Sequence, residues 1–128
     1  MKHLISASDL NREQIEFLMK AARSFSGALK NNEVVPLLKG KTIVNLFFEN
    51  STRTRTSFEL ATRQLGGSTL NVTASTSSVQ KGETLIDTAK NIEAMGPHCI
   101  VVRHACAGSP QFLARNVQMS VVNAGDGF

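Results

Sequence analysis

Thr42-Ile43-Val44-Asn45-Leu46-Phe47-Phe48 is an almost unbroken apolar run between two helical patterns. It has no helical periodicity, and such a run is typical of a strand that is covered on both faces, as in a parallel sheet. Upstream, Asn11 can cap a first helix, with Gln14 three residues later. Downstream, a second helix is predicted from about Arg53, ending at Gly66-Gly67.

Helix and strand continue to alternate along the rest of the sequence. Further strands are predicted at Thr69–Val72, Cys99–Val102 and Met119–Val122, and further helices are predicted to start at Gly82-Glu83-Thr84 and Ser109-Pro110. Such alternation forms a parallel sheet with right-handed crossovers. The predicted fold class is therefore α/β, a four-stranded parallel sheet with helices on both faces, in one domain over residues 1–128.

The first helix carries one apolar stripe at helical spacing. Its members are Ile15, Leu18, Ala22, Phe25 and Leu29. A single stripe of this kind predicts a single buried face. We therefore expect this helix to bury the stripe against the rest of the domain.

Composition and charge narrow the class of protein. Hydrophobic residues make up 41% of the chain and charged residues 19%, as in a globular domain. The net charge of +4 comes from scattered cations without interleaved aromatic residues, which argues against nucleic-acid binding. The longest apolar run is too short to cross a bilayer, and Met1–Ser6 does not resemble a signal peptide, so we expect a cytoplasmic protein.

The two cysteines fit the same expectation. Cys99 opens an apolar run, which favours a buried thiol over a disulfide. Cys99 and Cys106 have few possible ligands near them, so no metal site is predicted there.

The segment Ser51-Thr52-Arg53-Thr54-Arg55-Thr56-Ser57 is suited to holding a phosphate. The first N–H groups of a helix lack partners within it and carry partial positive charge, so an oxyanion placed there satisfies both deficits. Ser51 and Thr52 add hydroxyl donors, and Arg53 adds a planar guanidinium that matches phosphate geometry. By contrast, we expect Arg55 to pair with a carboxylate such as Glu59, four residues on.

Polar clusters follow each of the predicted strands. They are Glu49–Thr54, Ser77–Lys81, Arg103-His104 and Asn123–Gly127. Because the carboxyl ends of parallel strands share one edge of the sheet, these clusters are expected to form one site there. Among these clusters, we expect His104 to have a structural role, since a single histidine after a strand is more often structural than a substrate contact.

With these residues in view, the chain resembles the amino-terminal half of the aspartate carbamoyltransferases. The segment Phe47–Glu59 is similar to the carbamoyl phosphate signature that this family shares with ornithine carbamoyltransferases. The aspartate branch is indicated by Ser77–Thr84, Val102–His104 and Asn123–Gly127.

The resemblance implies a role for each matching residue. Carbamoyl phosphate would be bound by Ser51, Thr52, Arg53, Thr54 and Arg103. Ser77 and Lys81 match loop residues that enter a neighbouring subunit's active site, which implies a homotrimer with shared sites. Glu49 matches a carboxylate that pairs with arginines of the aspartate domain on closure. The implied partners are carbamoyl phosphate and L-aspartate, without a cofactor, a metal, nucleic acid or a membrane.

The sequence departs from the family at its end. In the family, a His-Pro-Thr-Gln motif and an aspartate-binding domain follow Asn123–Gly127, whereas this sequence stops at Phe128. We therefore expect a carbamoyl phosphate-binding domain that is truncated before that motif, inactive or very weak alone, with apolar surface exposed where the second domain would pack. The alternatives are an ornithine carbamoyltransferase-like enzyme and a non-catalytic anion-binding module.

Overall fold

A computed structural model of the chain describes residues 1–73 and 84–127. In this part of the chain the strands are β1 (Thr42–Phe47), β2 (Ser68–Thr73), β3 (Cys99–His104) and β4 (Ser120–Asp126). The α-helices are α1 (Arg12–Lys30), α2 (Thr52–Gln64), α3 (Leu85–Ala94) and α4 (Ser109–Asn116), and short 3-10 turns lie at Ala7–Asp9 and Pro36–Leu38. None of the helices described is long and apolar enough to cross a membrane.

The strands form one parallel sheet in the order β2-β1-β3-β4. Val44 of β1 pairs with Leu70 on one side and with Ile100 on the other, and Ile100 pairs in turn with Val121 of β4. Beyond β4, Leu4 forms an isolated parallel bridge with Val122. The predicted four-stranded parallel sheet is confirmed, and the carboxyl ends of its strands lie at one edge.

Helices cover both faces of this sheet. On one face the core contains residues of β1, β3 and β4, of α3 and α4, and of the turn between α4 and β4. They are Val44, Leu46, Ala89, Ile92, Ile100, Val102, Leu113, Val117, Met119 and Val121. On the other face Ile43, Phe47 and Val101 are buried beneath Phe58 of α2 and Leu38. β1 is buried on both sides, as its sequence predicts.

The predicted helix boundaries agree well with the structure. Asn11 Oδ1 accepts from the Gln14 N–H at 2.8 Å, and Gln14 Oε1 accepts from the Asn11 N–H at 2.9 Å, which completes a capping box. After α2, Gly66 adopts φ +80°. An L side chain rarely adopts that conformation, so the helix ends where glycine allows it.

The predicted buried stripe of α1 is wrong. None of its residues is fully buried, and Ile15 and Leu29 remain 42% and 52% exposed. The apolar side of α1 instead lines an open groove of about 320 Å³, whose lining includes Phe25 and Leu65, the residue that follows α2. Periodicity predicts that a helix has an apolar side, but burial requires a partner surface close enough to exclude water.

Strand β4 is longer than predicted. The prediction ended it at Val122, whereas the strand continues to Asp126, which pairs with His104 across an irregularity between Val102 and His104. Backbone pairing with β3 extends the strand through residues of low β-propensity. The Asn123–Gly127 motif is therefore largely part of the sheet, which limits where its side chains can point.

Candidate functional site

The amino terminus of α2 lies at the carboxyl edge of the sheet, and four residues separate it from the end of β1. Ser51 is the N-cap residue, and its side chain makes no capping hydrogen bond. In α1 and α3, by contrast, the side chains of Asn11 and Thr84 do cap the first turn. The Ser51 side chain therefore occupies none of the first N–H groups of α2, the groups that a helix start can offer to an anion.

The side chains predicted to hold phosphate are grouped on this first turn. Thr52 and Arg53 are exposed, whereas Ser51 and Thr54 are half-buried. The Arg53 carbonyl accepts a hydrogen bond from Ser57 Oγ at 2.9 Å, while no ion pair engages the guanidinium in the part of the chain that the structure describes. The Arg53 side chain is thus available to an anion.

Arg103 lies near the end of β3, the strand next to β1. Its Nη1 donates to the Ala124 carbonyl at 3.1 Å, and its Nε donates to Glu49 Oε2 at 3.4 Å. The Phe48 N–H donates to the Arg103 carbonyl at 3.0 Å, which ties the end of β1 to β3. The structure therefore brings Glu49 and Arg103 together, with side chains 44% and 33% exposed.

The backbone beside Arg103 is shaped by Asn123 and Gly125. Asn123 Oδ1 accepts from the Gly125 N–H at 2.8 Å, and Asn123 Nδ2 donates to the Ile5 carbonyl at 3.0 Å. Gly125 has φ +136°, and a Cβ at this position would lie 2.8 Å from Arg103 Nη1. Glycine therefore leaves the space that the guanidinium occupies.

Asp126 fixes the other side of the same turn. One carboxylate oxygen accepts from Asn123 Nδ2 at 2.9 Å and the other accepts from the Gly108 N–H at 2.7 Å. The hydrogen bond from Asn123, and to a smaller extent the one from Gly108, lowers the pKa of Asp126 below its ordinary value, because both stabilise the charged form. The carboxylate thus ties β4 to the start of α4.

A cleft of about 390 Å³ opens between these groups. It is lined by Glu49, Arg103, His104, Ala105, Gly125, Asp126 and Gly127. The Asn123–Gly127 motif is recognisable in the sequence, but the roles of Gly125 and of the Ala124 carbonyl in positioning Arg103 are not. Gly125, in the polar segment that follows the last predicted strand, was the available signal, since glycine often marks a close approach to the backbone.

The His104 side chain contacts neighbouring groups of the protein. Its ring lies 4.7 Å from that of Phe48, and its Nδ1 accepts from the Cys106 N–H at 2.9 Å. Burial lowers the pKa of His104, and the nearby Glu49 carboxylate opposes that shift. The neutral ring is therefore favoured, and it shapes the wall of the cleft.

The predicted Arg55–Glu59 pair is wrong. Glu59 Oε1 instead lies 3.1 Å from Arg63 Nη2, and Glu59 Oε2 accepts from Asn71 Nδ2 at 3.1 Å. A glutamate that precedes its cation by four residues is better oriented to the helix dipole than one that follows it. Contact with β2 then fixes the carboxylate on the side of Asn71.

The structure locates some of the predicted site residues relative to one another and leaves others undescribed. Arg103 and the α2 turn follow adjacent strands, but no side-chain hydrogen bond or ion pair joins them in residues 1–73 and 84–127. Ser77 and Lys81 lie outside the described residues. Within the described part, no group of three or more His, Cys, Asp or Glu side chains is placed to hold a metal ion.

Comparison with known proteins identifies the family. Residues 2–128 match the family model described as aspartate/ornithine carbamoyltransferase, carbamoyl-P binding domain. The chain belongs to this carbamoyltransferase family. The aspartate carbamoyltransferase catalytic subunits of Syntrophotalea carbinolica and Geotalea daltonii are 52% and 55% identical to it, each over 98% of this chain and 41% of the relative.

Solved carbamoyltransferase structures share the fold. The catalytic subunit of M. Jannaschii aspartate transcarbamoylase superposes with a TM-score of 0.88 at 40% identity, over 99% of this chain and 42% of that one. The Trypanosoma cruzi enzyme in complex with carbamoyl phosphate and aspartate gives a TM-score of 0.89 at 35% identity, over 98% and 41%. The chain thus spans about two fifths of the length of these relatives.

Proposed function

We propose that this chain binds carbamoyl phosphate and serves as the corresponding domain of an aspartate carbamoyltransferase. The observation that carries the proposal is the uncapped first turn of α2, placed one strand away from Arg103. Open N–H groups, hydroxyls and two guanidinium groups at one sheet edge suit a doubly charged phosphate ester. The matching carbamoyl-P binding family supports the same ligand.

The proposed reaction transfers the carbamoyl group to the amine of L-aspartate. The amine attacks the carbonyl carbon, negative charge grows on the carbonyl oxygen, and phosphate leaves to give N-carbamoyl-L-aspartate, as in pyrimidine synthesis. Ser51, Thr52 and Arg53 hold the phosphate in this scheme. Thr54 and Arg103 donate toward the developing charge, so catalysis comes from orientation and electrostatic stabilisation.

Aspartate is proposed as the acceptor instead of ornithine. The two curated relatives cited above are named as aspartate carbamoyltransferase catalytic subunits, and the Trypanosoma cruzi structure contains aspartate together with carbamoyl phosphate. In a protein that also contains an aspartate domain, Glu49 would pair with arginines of that domain when the two domains close. That exchange would release Arg103 from the carboxylate it contacts here.

The assembly that we propose is a cytoplasmic homotrimer. Ser77 and Lys81 would enter a neighbouring subunit's site, where Lys81 would offset charge on the phosphate and on the incoming aspartate. We expect residues 1–128 by themselves to bind carbamoyl phosphate weakly and to transfer its carbamoyl group to L-aspartate poorly.

Isothermal titration with carbamoyl phosphate tests the proposal. We expect binding by the unchanged protein, and loss of most of that binding in Arg53→Ala and Arg103→Ala. Arg23→Ala is the matched control, because it removes one exposed cation from α1, away from the site. Equal heats for Arg53→Ala and the unchanged protein would contradict the phosphate assignment.

A rate assay separates an enzyme from a non-catalytic anion-binding module. A protein that includes residues 1–128 and an aspartate domain should form N-carbamoyl-L-aspartate from carbamoyl phosphate and L-aspartate. Binding without turnover in such a longer protein would favour the module. Turnover with ornithine but not with aspartate would favour the ornithine branch.

A further inference from the structure

Helix α2 carries the proposed phosphate-binding turn but has little apolar surface with which to hold itself in place. Thr62 is its one fully buried residue, Phe58 is only partly buried against the core, and Leu60 is 54% exposed. Apolar contacts are non-directional. Because α2 makes few of them, they determine the rotation of the helix about its axis only weakly. Directional contacts are needed to set that rotation.

A chain of hydrogen bonds supplies such contacts. Asn45 of β1 is fully buried, and its Nδ2 donates to Thr69 Oγ1 and to Asn71 Oδ1, both at 3.1 Å. Asn71 Nδ2 then donates to Glu59 Oε2 at 3.1 Å, and Glu59 Oε1 pairs with Arg63 Nη2. Each amide in this chain points its donor toward the Glu59 carboxylate, so the bonds polarise one another.

The presence of an asparagine at position 45 is informative. Its neighbours on the same face of β1, Ile43 and Phe47, are apolar and buried. The Asn45 Oδ1 atom is buried without a hydrogen-bond partner among the described residues. An unsatisfied buried polar atom opposes stability, so packing alone would favour an apolar residue at this position.

We infer that the Asn45–Asn71–Glu59 hydrogen-bond chain fixes the rotation of α2 on the sheet, and so positions the α2 first turn for carbamoyl phosphate. Glu59 lies seven residues after Thr52, nearly two helical turns, so both lie on the same side of α2. A rotation that moves the Glu59 carboxylate therefore also moves Thr52 and the N–H groups around it. Asn45, Asn71 and Glu59 are positioning residues, and the inference rests on the proposed function.

Titration with carbamoyl phosphate, combined with thermal unfolding, tests this inference. Asn71→Val removes the acceptor for Asn45 and the donor to Glu59 at an exposed strand position, where it leaves no cavity. We expect its dissociation constant to rise about three- to tenfold, the equivalent of one or two hydrogen bonds. Glu59→Gln keeps an oxygen that can accept from Asn71 Nδ2, and we expect binding within about twofold of the unchanged protein.

Thr62→Val is the matched control for a merely structural effect. It lies on the same helix, conserves volume, and removes only the hydrogen bond from Thr62 Oγ1 to the Phe58 carbonyl. We expect a lower unfolding midpoint with an unchanged dissociation constant. If Asn71→Val does not fold, Glu59→Ala takes its place, with the same weakening expected.

The outcomes separate this inference from the proposed function. Binding by Asn71→Val equal to that of the unchanged protein, with Arg53→Ala defective, would overturn the positioning role and leave the phosphate site intact. Weakening in Thr62→Val as large as that in Asn71→Val would also overturn it. Absence of binding by the unchanged protein would contradict the proposed function instead.

Discussion

Gly125 and Arg103 share a space that cannot hold both the guanidinium group and a β-carbon. A Cβ on Gly125 would lie 2.8 Å from Arg103 Nη1, and the residue has φ +136°. Because Nη1 is the far end of a flexible side chain, a substitution at Gly125 would displace the arginine before it displaced the sheet. The position of Arg103 therefore depends on a glycine that is distant in sequence.

Gly125→Ala should impair the site more than the fold. We expect carbamoyl phosphate affinity to fall about tenfold through loss of one charged hydrogen bond, and unfolding free energy to fall by about 1–3 kcal/mol through backbone strain. Gly96→Ala is the control, since Gly96 has φ +79° but nothing within 4 Å of its Cβ position. Equal losses of affinity in the two variants would refute the steric explanation.

Glu49→Gln should strengthen anion binding by residues 1–128. The Glu49 carboxylate lies 3.4 Å from Arg103 Nε, where it competes with an incoming phosphate. For a pair this exposed we expect binding about two- to fivefold tighter at low salt, with less gain at high salt. Titrations at two ionic strengths, with Glu13→Gln on α1 as control, measure the effect. Weaker binding would mean that Glu49 orients Arg103 for the ligand.

Acidification should destabilise the fold through His104. Burial lowers its pKa in the folded protein, so the neutral ring stabilises the fold above the ordinary value of 6.5, and this contribution is lost as the pH falls through the folded pKa. We expect the unfolding midpoint to drop between pH 7.5 and pH 5. In His104→Asn, where Oδ1 can still accept from the Cys106 N–H, the drop should be smaller.

His3 provides the comparison for this experiment. Burial also lowers the pKa of His3, whose Nδ1 accepts from the Val121 N–H at 3.0 Å. This second histidine is retained in His104→Asn, so the difference between the two pH profiles reports His104. Parallel profiles would show that His104 does not contribute.

The two thiols should differ in reactivity. Burial raises the pKa of Cys99 to about 11, whereas Cys106 is exposed. Since the thiolate is the reactive form, iodoacetamide at pH 8 should label Cys106 first and leave Cys99 largely unlabelled. Mass spectrometry of the labelled peptides measures this, and both should react in urea. Equal labelling without urea would contradict the burial of Cys99.

Local signals in the sequence were sufficient for most elements of the fold. The Asn11 capping box and the glycine after α2 act within a single turn, and the apolar run of β1 predicts burial on both faces without knowledge of its neighbours. The proposed phosphate-binding turn at Ser51–Thr54 also rests on local signals, because an anion site at a helix start needs only adjacent residues. The parallel topology followed from the alternation of elements.

Tertiary contacts decided what these signals left open. The apolar side of α1 remains partly exposed because burial depends on a partner surface, and Glu59 contacts Asn71 and Arg63 because β2 lies beside it. Arg103 is positioned by Glu49 and by the Ala124 carbonyl, which lie 54 and 21 positions away from it in the sequence. Sequence alone determined which groups could bind an anion, whereas the packing of the sheet determined where they point, since side-chain direction depends on contacts between segments far apart in the chain.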